Sequence, residues 1–362
     1  MAVIGGFFGG ARGRCDGSAL TEISRSTAIC GGRREAFIKG RIGLSVGLSG
    51  VDEDSSGLYF LENGGEVFAA AVCGELRSSD PVGLLGEYAR QKSLCDGAFS
   101  GSLSAAVCDG REELCIFRLG VDAPTLYYAS LGGDIAFSSR IKGLIGFLGG
   151  CFVRAELLRE HILSGAGAYC GEDLYCGVYG VERGCGLRFT PTGVSRFMLR
   201  DTPEKPCDMR AFPEGDLVCP DAEEMRGLLM RILFAFDYPQ FDPFMPTFLR
   251  DAERGGIVTD HSLCMDVRYA EERRVRLLAL CGKRALTVPP STQSYGEYEL
   301  RRMDEVLRSL LEEDESEAYA LVLGQNWREI LEKEKNTARR IRMSGMLWQT
   351  AFWYESYNVA LI

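Results

Sequence analysis

Two groups of residues could do chemistry by type alone. Asp260, His261 and Asp266 set an imidazole among carboxylates, which can hold a metal ion or move a proton. A single histidine in a loop more often has a structural role, and that reading is preferred here. Cys170, Cys176 and Cys185 offer thiols, but without the paired spacing of a zinc site, and His161 and His261 are the chain's only histidines. No metal and no cofactor are expected.

The cysteines as a whole bear on compartment. There are 14, scattered from Cys15 to Cys281 with no CxxC pair, and Cys73, Cys108 and Cys115 lie in apolar runs. They read as small buried hydrophobes in a reducing environment. A net charge of −10 disfavours nucleic acid, because phosphate binding needs a basic surface. Arg33-Arg34 and Arg339-Arg340-Ile341-Arg342 are short and flanked by acids, so they read as solvated helix faces. No apolar run approaches the roughly 20 residues of a membrane span. The opening MAVIGGFFGGARG has no basic n-region and too short an apolar stretch for a signal peptide, so a cytoplasmic location is expected.

The elements that must position any site follow from periodicity. At 362 residues the chain suggests two domains. Val3–Phe8, Arg41–Leu48, Gly57–Leu61, Glu66–Val72, Gly101–Val107, Glu113–Leu119, Thr125–Ala129 and Asp134–Phe137 read as strands. Ala19–Ile29, Pro81–Arg90, Ser139–Phe147 and Ala155–Leu163 read as helices, the second capped by Asp80. Val181–Thr190 and Gly193–Leu199 form a hairpin around Pro191-Thr192-Gly193. Residues 201–220 read as a linker between a domain at 1–200 and one at 221–362. The latter is mostly helical: Ala222–Phe236, Met245–Arg254, Glu297–Glu313 and Trp327–Arg342, with short strands at Arg274–Leu280 and Arg284–Val288. The aromatic run Trp348–Tyr357 reads as a core or subunit-contact stripe.

Six pieces of the first domain, in order, carry a resemblance. They are Met1-Ala2-Val3-Ile4-Gly5-Gly6, Val72-Cys73-Gly74-Glu75, Ser79-Asp80-Pro81-Val82, Phe99–Ala106, Arg118–Tyr128 and Phe137–Leu144. Together they resemble the glutaminase domain of glutamine-hydrolysing asparagine synthetases, a class II amidotransferase domain with an N-terminal nucleophile. The resemblance implies an α+β fold. An N-terminal αββα sandwich of N-terminal-nucleophile type would precede a smaller, mostly helical remnant of an ATP-pyrophosphatase-like synthetase domain.

The same resemblance marks losses. The family's catalytic cysteine falls at Ala2, so a covalent acyl intermediate cannot form there. Cys15 could replace it only after cleavage of the chain. The family's oxyanion-hole asparagine falls at Cys73, a poor donor, while Gly74 keeps its backbone N–H. The arginine that grips the glutamine carboxylate falls at Gly43, with Arg41 as an alternative two residues away. Glu75 and Asp80 match contacts to the glutamine amine and amide, but also read as a strand-end carboxylate and a helix cap.

The family's pyrophosphate loop is absent after residue 200. The nearest string, Ser49–Ser56, holds three acids and reads as a surface loop. The resemblance therefore implies a pseudoenzyme with a binding, regulatory or self-assembly role. A homo-oligomer, or a larger assembly, is the expected partner state. The alternatives are an amide-forming ligase that uses ammonia or a partner's nucleotide site, and a glutamine-binding module.

Overall fold

In a computed structural model, the structure describes residues 2–10, 15–26, 32–48, 55–77, 80–91, 94, 99–109, 112–120, 123–164, 171–199, 219–241, 245–246, 249 and 297–362. Asp260, His261, Asp266, Cys170, residues 201–218, the expected strands at 274–280 and 284–288 and most of the expected helix at 245–254 lie outside them. The chain divides into two compact units. One comprises Met1–Gly150 and Gly177–Lys205, and the other Cys151–Cys176 and Pro206–Ile362. Cys151–Cys176 therefore groups with the second unit, whereas the sequence reading drew a single boundary at 201–220.

The first unit is a mixed α and β structure with antiparallel sheets. Its strands are β1 (Ala2–Phe8), β2 (Arg33–Lys39), β3 (Ile42–Leu48), β4 (Gly57–Asn63), β5 (Glu66–Leu76), β6 (Gly101–Cys108), β7 (Leu114–Leu119), β8 (Tyr127–Leu131) and β9 (Asp134–Ser138). The second unit contributes β10 (Cys151–Val153). The first resumes with β11 (Tyr179–Gly180), β12 (Cys185–Thr190) and β13 (Gly193–Met198). One six-stranded sheet has the order β11-β8-β9-β1-β3-β2, and the other β13-β12-β7-β6-β5-β4. The sheets face each other across a core that includes Ile4, Phe8, Ile42, Leu44 and Val46 from one and Ala69, Ala71, Ala106 and Ile116 from the other.

Helices cover both outer faces. Helices α1 (Gly17–Ser26) and α3 (Lys142–Leu148) lie on the first sheet. Helix α2 (Pro81–Gln91) buries Leu84, Leu85 and Tyr88 against Phe68, Ala70 and Val72 of the second. Small residues such as Ala69 and Ala71 let the two sheets approach closely.

Arg33-Arg34 does not lie on a helix. It opens β2, the edge strand of the first sheet, whose residues are alternately exposed and half-buried. Basic side chains on an edge discourage pairing with other chains, so charge density there signals an edge rather than a helix face.

The second unit is mostly helical: α4 (Ala155–Ser164), α5 (Gly171–Leu174), α6 (Ala222–Phe236), α7 (Glu297–Glu313), α8 (Glu317–Leu323), α9 (Trp327–Lys333) and α10 (Thr337–Ser356). It closes with β14 (Val359–Leu361), which pairs in parallel with β10. The expected single helix over 327–342 is broken at 334–336, where Asn336 caps α10 by accepting a hydrogen bond from the Arg339 N–H at 3.0 Å.

Helix α10 packs against α4, α6, α7 and α8, with Met343, Met346, Leu347 and Trp353 buried. Arg340 is not a solvated charge. It grips Asp304 of α7 at 2.8 and 2.9 Å, and both side chains are largely buried. The Trp348–Tyr357 run is mainly core, with Trp353 fully buried and Phe352 exposed. His161 is also structural, its Nε2 lying 2.9 Å from the Pro239 carbonyl oxygen.

Among the described residues, Cys73, Cys108, Cys115, Cys151, Cys185 and Cys219 are buried, Cys15 and Cys176 are half-buried, and none is in a disulfide. No described helix is long and apolar enough to cross a membrane.

Candidate functional site

Successive side chains on a strand point to opposite faces. On β1 and β3 the even-numbered Ala2, Ile4, Phe8, Ile42, Leu44 and Val46 face the second sheet. Odd-numbered positions face the helices: Phe7 meets Phe147 edge-on at 6.0 Å. This alternation sorts the sequence-derived site residues into two separate places.

The first place lies between the sheets. Ala2 begins β1, pairs with Leu48 and joins the inter-sheet core. Cys73 of β5 faces the same interior and donates from Sγ to the Ala2 carbonyl oxygen at 3.1 Å. The two positions that the family resemblance makes nucleophile and oxyanion donor are therefore in contact. Their chemistry is an alanine methyl and a thiol already engaged.

Gly74 follows, with φ at +113°. Its N–H, which the family resemblance would place in an oxyanion hole, donates to Ser56 Oγ at 3.0 Å. Ser55 Oγ accepts from the Leu76 N–H at 3.1 Å. Ser55 and Ser56 thus bind the open edge of β5 just where β4 begins. Sequence reasoning passed over both as the end of a surface loop. Two hydroxyl residues immediately before a strand were the available signal.

The second place is on the opposite face of the first sheet. Gly43 pairs with Phe7, five positions along β1 from Ala2, or about 17 Å at the strand rise. A Cβ on Gly43 would lie 2.6 Å from Cys15 Sγ and 2.8 Å from a Leu20 methyl, so the space beside it is filled. Burial, with a smaller contribution from Asp16, pushes the Cys15 thiol up to about 12, which keeps it protonated and poorly nucleophilic.

Arg41 sits in the turn between β2 and β3. Its guanidinium donates to the Gly9 and Gly10 carbonyls at 3.4 Å and pairs with Glu112 at 3.1 Å. Neither Gly43 nor Arg41 lies at the Ala2 end of β1. Register sets the distance along the strand, and the pleat turns Gly43 to the other face, since an odd-numbered residue of β3 cannot face the same interior as Ala2.

Glu75 and Asp80 are both engaged. Glu75 pairs with Arg77 at 3.3 Å. Asp80 Oδ1 accepts from the Gly83 N–H at 2.6 Å, capping α2. Among the described residues, no group of three or more His, Cys, Asp or Glu side chains converges as metal ligands would.

No protein-family model matches the chain, and no curated protein sequence matches it. Among solved structures, it is similar to glutamine phosphoribosylpyrophosphate amidotransferase from B. subtilis, complexed with ADP and GMP. That likeness has 11% identity and a TM-score of 0.37, and covers 69% of this chain and 56% of the other. It is also similar to a structure described as the allosteric regulatory enzyme of purine biosynthesis, at 9% identity and a TM-score of 0.36, covering 83% of this chain and 69% of that one. The chain thus spans just over half the length of the first of these.

Proposed function

We propose that this chain belongs to the class of N-terminal-nucleophile glutamine amidotransferase folds and does not hydrolyse glutamine. Within that class, its motifs resemble the asparagine synthetases, so it reads as a pseudoenzyme of that type. Its role would be binding, regulation or self-assembly, as a cytoplasmic homo-oligomer without a cofactor.

One observation carries the reading. At the start of β1 an alanine methyl packs where acyl transfer would need a nucleophile, against a Cys73 thiol bonded to the Ala2 carbonyl. The Gly74 N–H supports it, because a donor held by Ser56 Oγ is not free for a developing oxyanion. The glutamine-binding alternative loses support because Glu75 and Asp80 already serve Arg77 and the α2 N-terminus.

The test is glutamate release from glutamine by the purified full chain and its Ala2→Cys variant. Neither should exceed the no-protein rate. Release by the native chain above that rate would overturn the reading. Calorimetric binding of glutamine that disappears in Asp80→Ala would replace it with the glutamine-binding module. Size-exclusion chromatography reports the assembly state directly.

A further inference from the structure

The second unit holds a groove unconnected with the amidotransferase reading. It runs between α6, α10 and the α7–α8 junction, with a volume of about 360 Å³. Trp348 forms a nearly buried wall, and Phe352 lies parallel to it at 6.5 Å with an interplanar angle of 5°. Phe352 and Met230 are 37% and 38% exposed, so the groove presents an aromatic ring and a thioether to solvent.

The lining charge is unbalanced. Arg226 is its one cation, set against Asp314, Glu315 and Glu355. Arg226 binds Asp314 at 3.0 Å, and Asp314 also accepts from Trp348 Nε1 at 2.9 Å. Glu315 pairs with Arg328 at 2.6 Å. Among the described residues, the Glu355 side chain has neither a hydrogen bond nor an ion pair, and its charge acts on the Tyr319 hydroxyl. A concave site with exposed apolar walls and one uncommitted carboxylate lacks a cation that can also lie flat. Guanidinium meets both needs, because its plane stacks on rings and its fork binds a carboxylate through two N–H groups. Ammonium has the charge without the plane.

We propose that this groove is a docking site for an arginine-bearing peptide segment of a partner protein. The guanidinium pairs with Glu355 and lies against Phe352, while a neighbouring apolar side chain meets Met230. This does not depend on Ala2, and no glutaminase result bears on it.

The probe is a short, fluorescently labelled, end-blocked peptide alternating arginine and leucine, titrated with the full chain and read by anisotropy. Lysine and glutamine counterparts serve as controls. The arginine peptide should saturate below about 1 mM, more tightly than the lysine peptide, and the glutamine peptide should not bind. Glu355→Gln should weaken binding about tenfold or more, and Met230→Lys, an exposed change that repels the cation, should abolish it. Circular dichroism of both variants should match the native chain.

Three results overturn the proposal. One is no saturable binding at about 1 mM. Another is equal binding to native and Glu355→Gln protein, which would indicate general attraction to an acidic chain. The third is a dimer, seen by light scattering, that Glu355→Gln dissolves, which would make the occupant a second copy.

Discussion

Gly74 shows how one residue can be required by geometry alone. Its φ of +113° lies outside the range that L side chains favour, and a Cβ there would fall 2.2 Å from the Ser102 carbonyl oxygen of the adjoining strand. Gly74→Ala should therefore lose about 3 kcal/mol or more of stability in urea unfolding. The same substitution should disturb the Gly74 N–H bond to Ser56, the contact that closes the β5 edge beyond its pairing with β4. The Gly74 and Ala2 identities were visible in the sequence. That Ser56 takes the Gly74 N–H was not, because residues 18 apart meet only when β4 folds back on β5.

At the scale of elements, helix α10 sets propensity against packing. Gly345 lies near its middle, where alanine would add about 1 kcal/mol of helix stability. A Cβ there would lie 2.3 Å from the Phe241 ring, which is itself buried. Overpacking costs roughly 1–3 kcal/mol, so Gly345→Ala should destabilise despite its propensity gain, and a higher thermal midpoint would refute that ordering. The strands show the complementary lesson. Period-2 alternation located most of them from sequence, but β2 was missed because three basic residues obscured its apolar positions. The short β10 and β14 were missed because three residues carry too little pattern.

Across the whole molecule, buried acidic hydroxyls and thiols set an upper pH limit. Burial raises Cys115 in the first unit and Cys151 in the second from 9.0 to about 12, and drives Tyr88 and Tyr175 upward as well. Each is neutral when protonated, so the native fold holds the proton more tightly than the unfolded chain. The two thiols' stability contribution is complete below about pH 9 and is lost as pH rises from there to about 12, and the tyrosines' is lost only at higher pH. Denaturant midpoints should be flat through neutrality and fall above about pH 9. A midpoint that rises over that range would contradict the burial of these groups.

The sequence alone determined the mixed α and β class, the strand-rich first part, the helical last part and the alanine at residue 2. These follow from local periodicity and side-chain chemistry, which neighbours in the chain carry. Only the tertiary structure decided which site residues share a face. Ala2 and Cys73 meet because both point between the sheets, while Gly43 points toward α1 because its strand parity is opposite. Parity is local, but which face becomes the interior depends on the sheet packed against it.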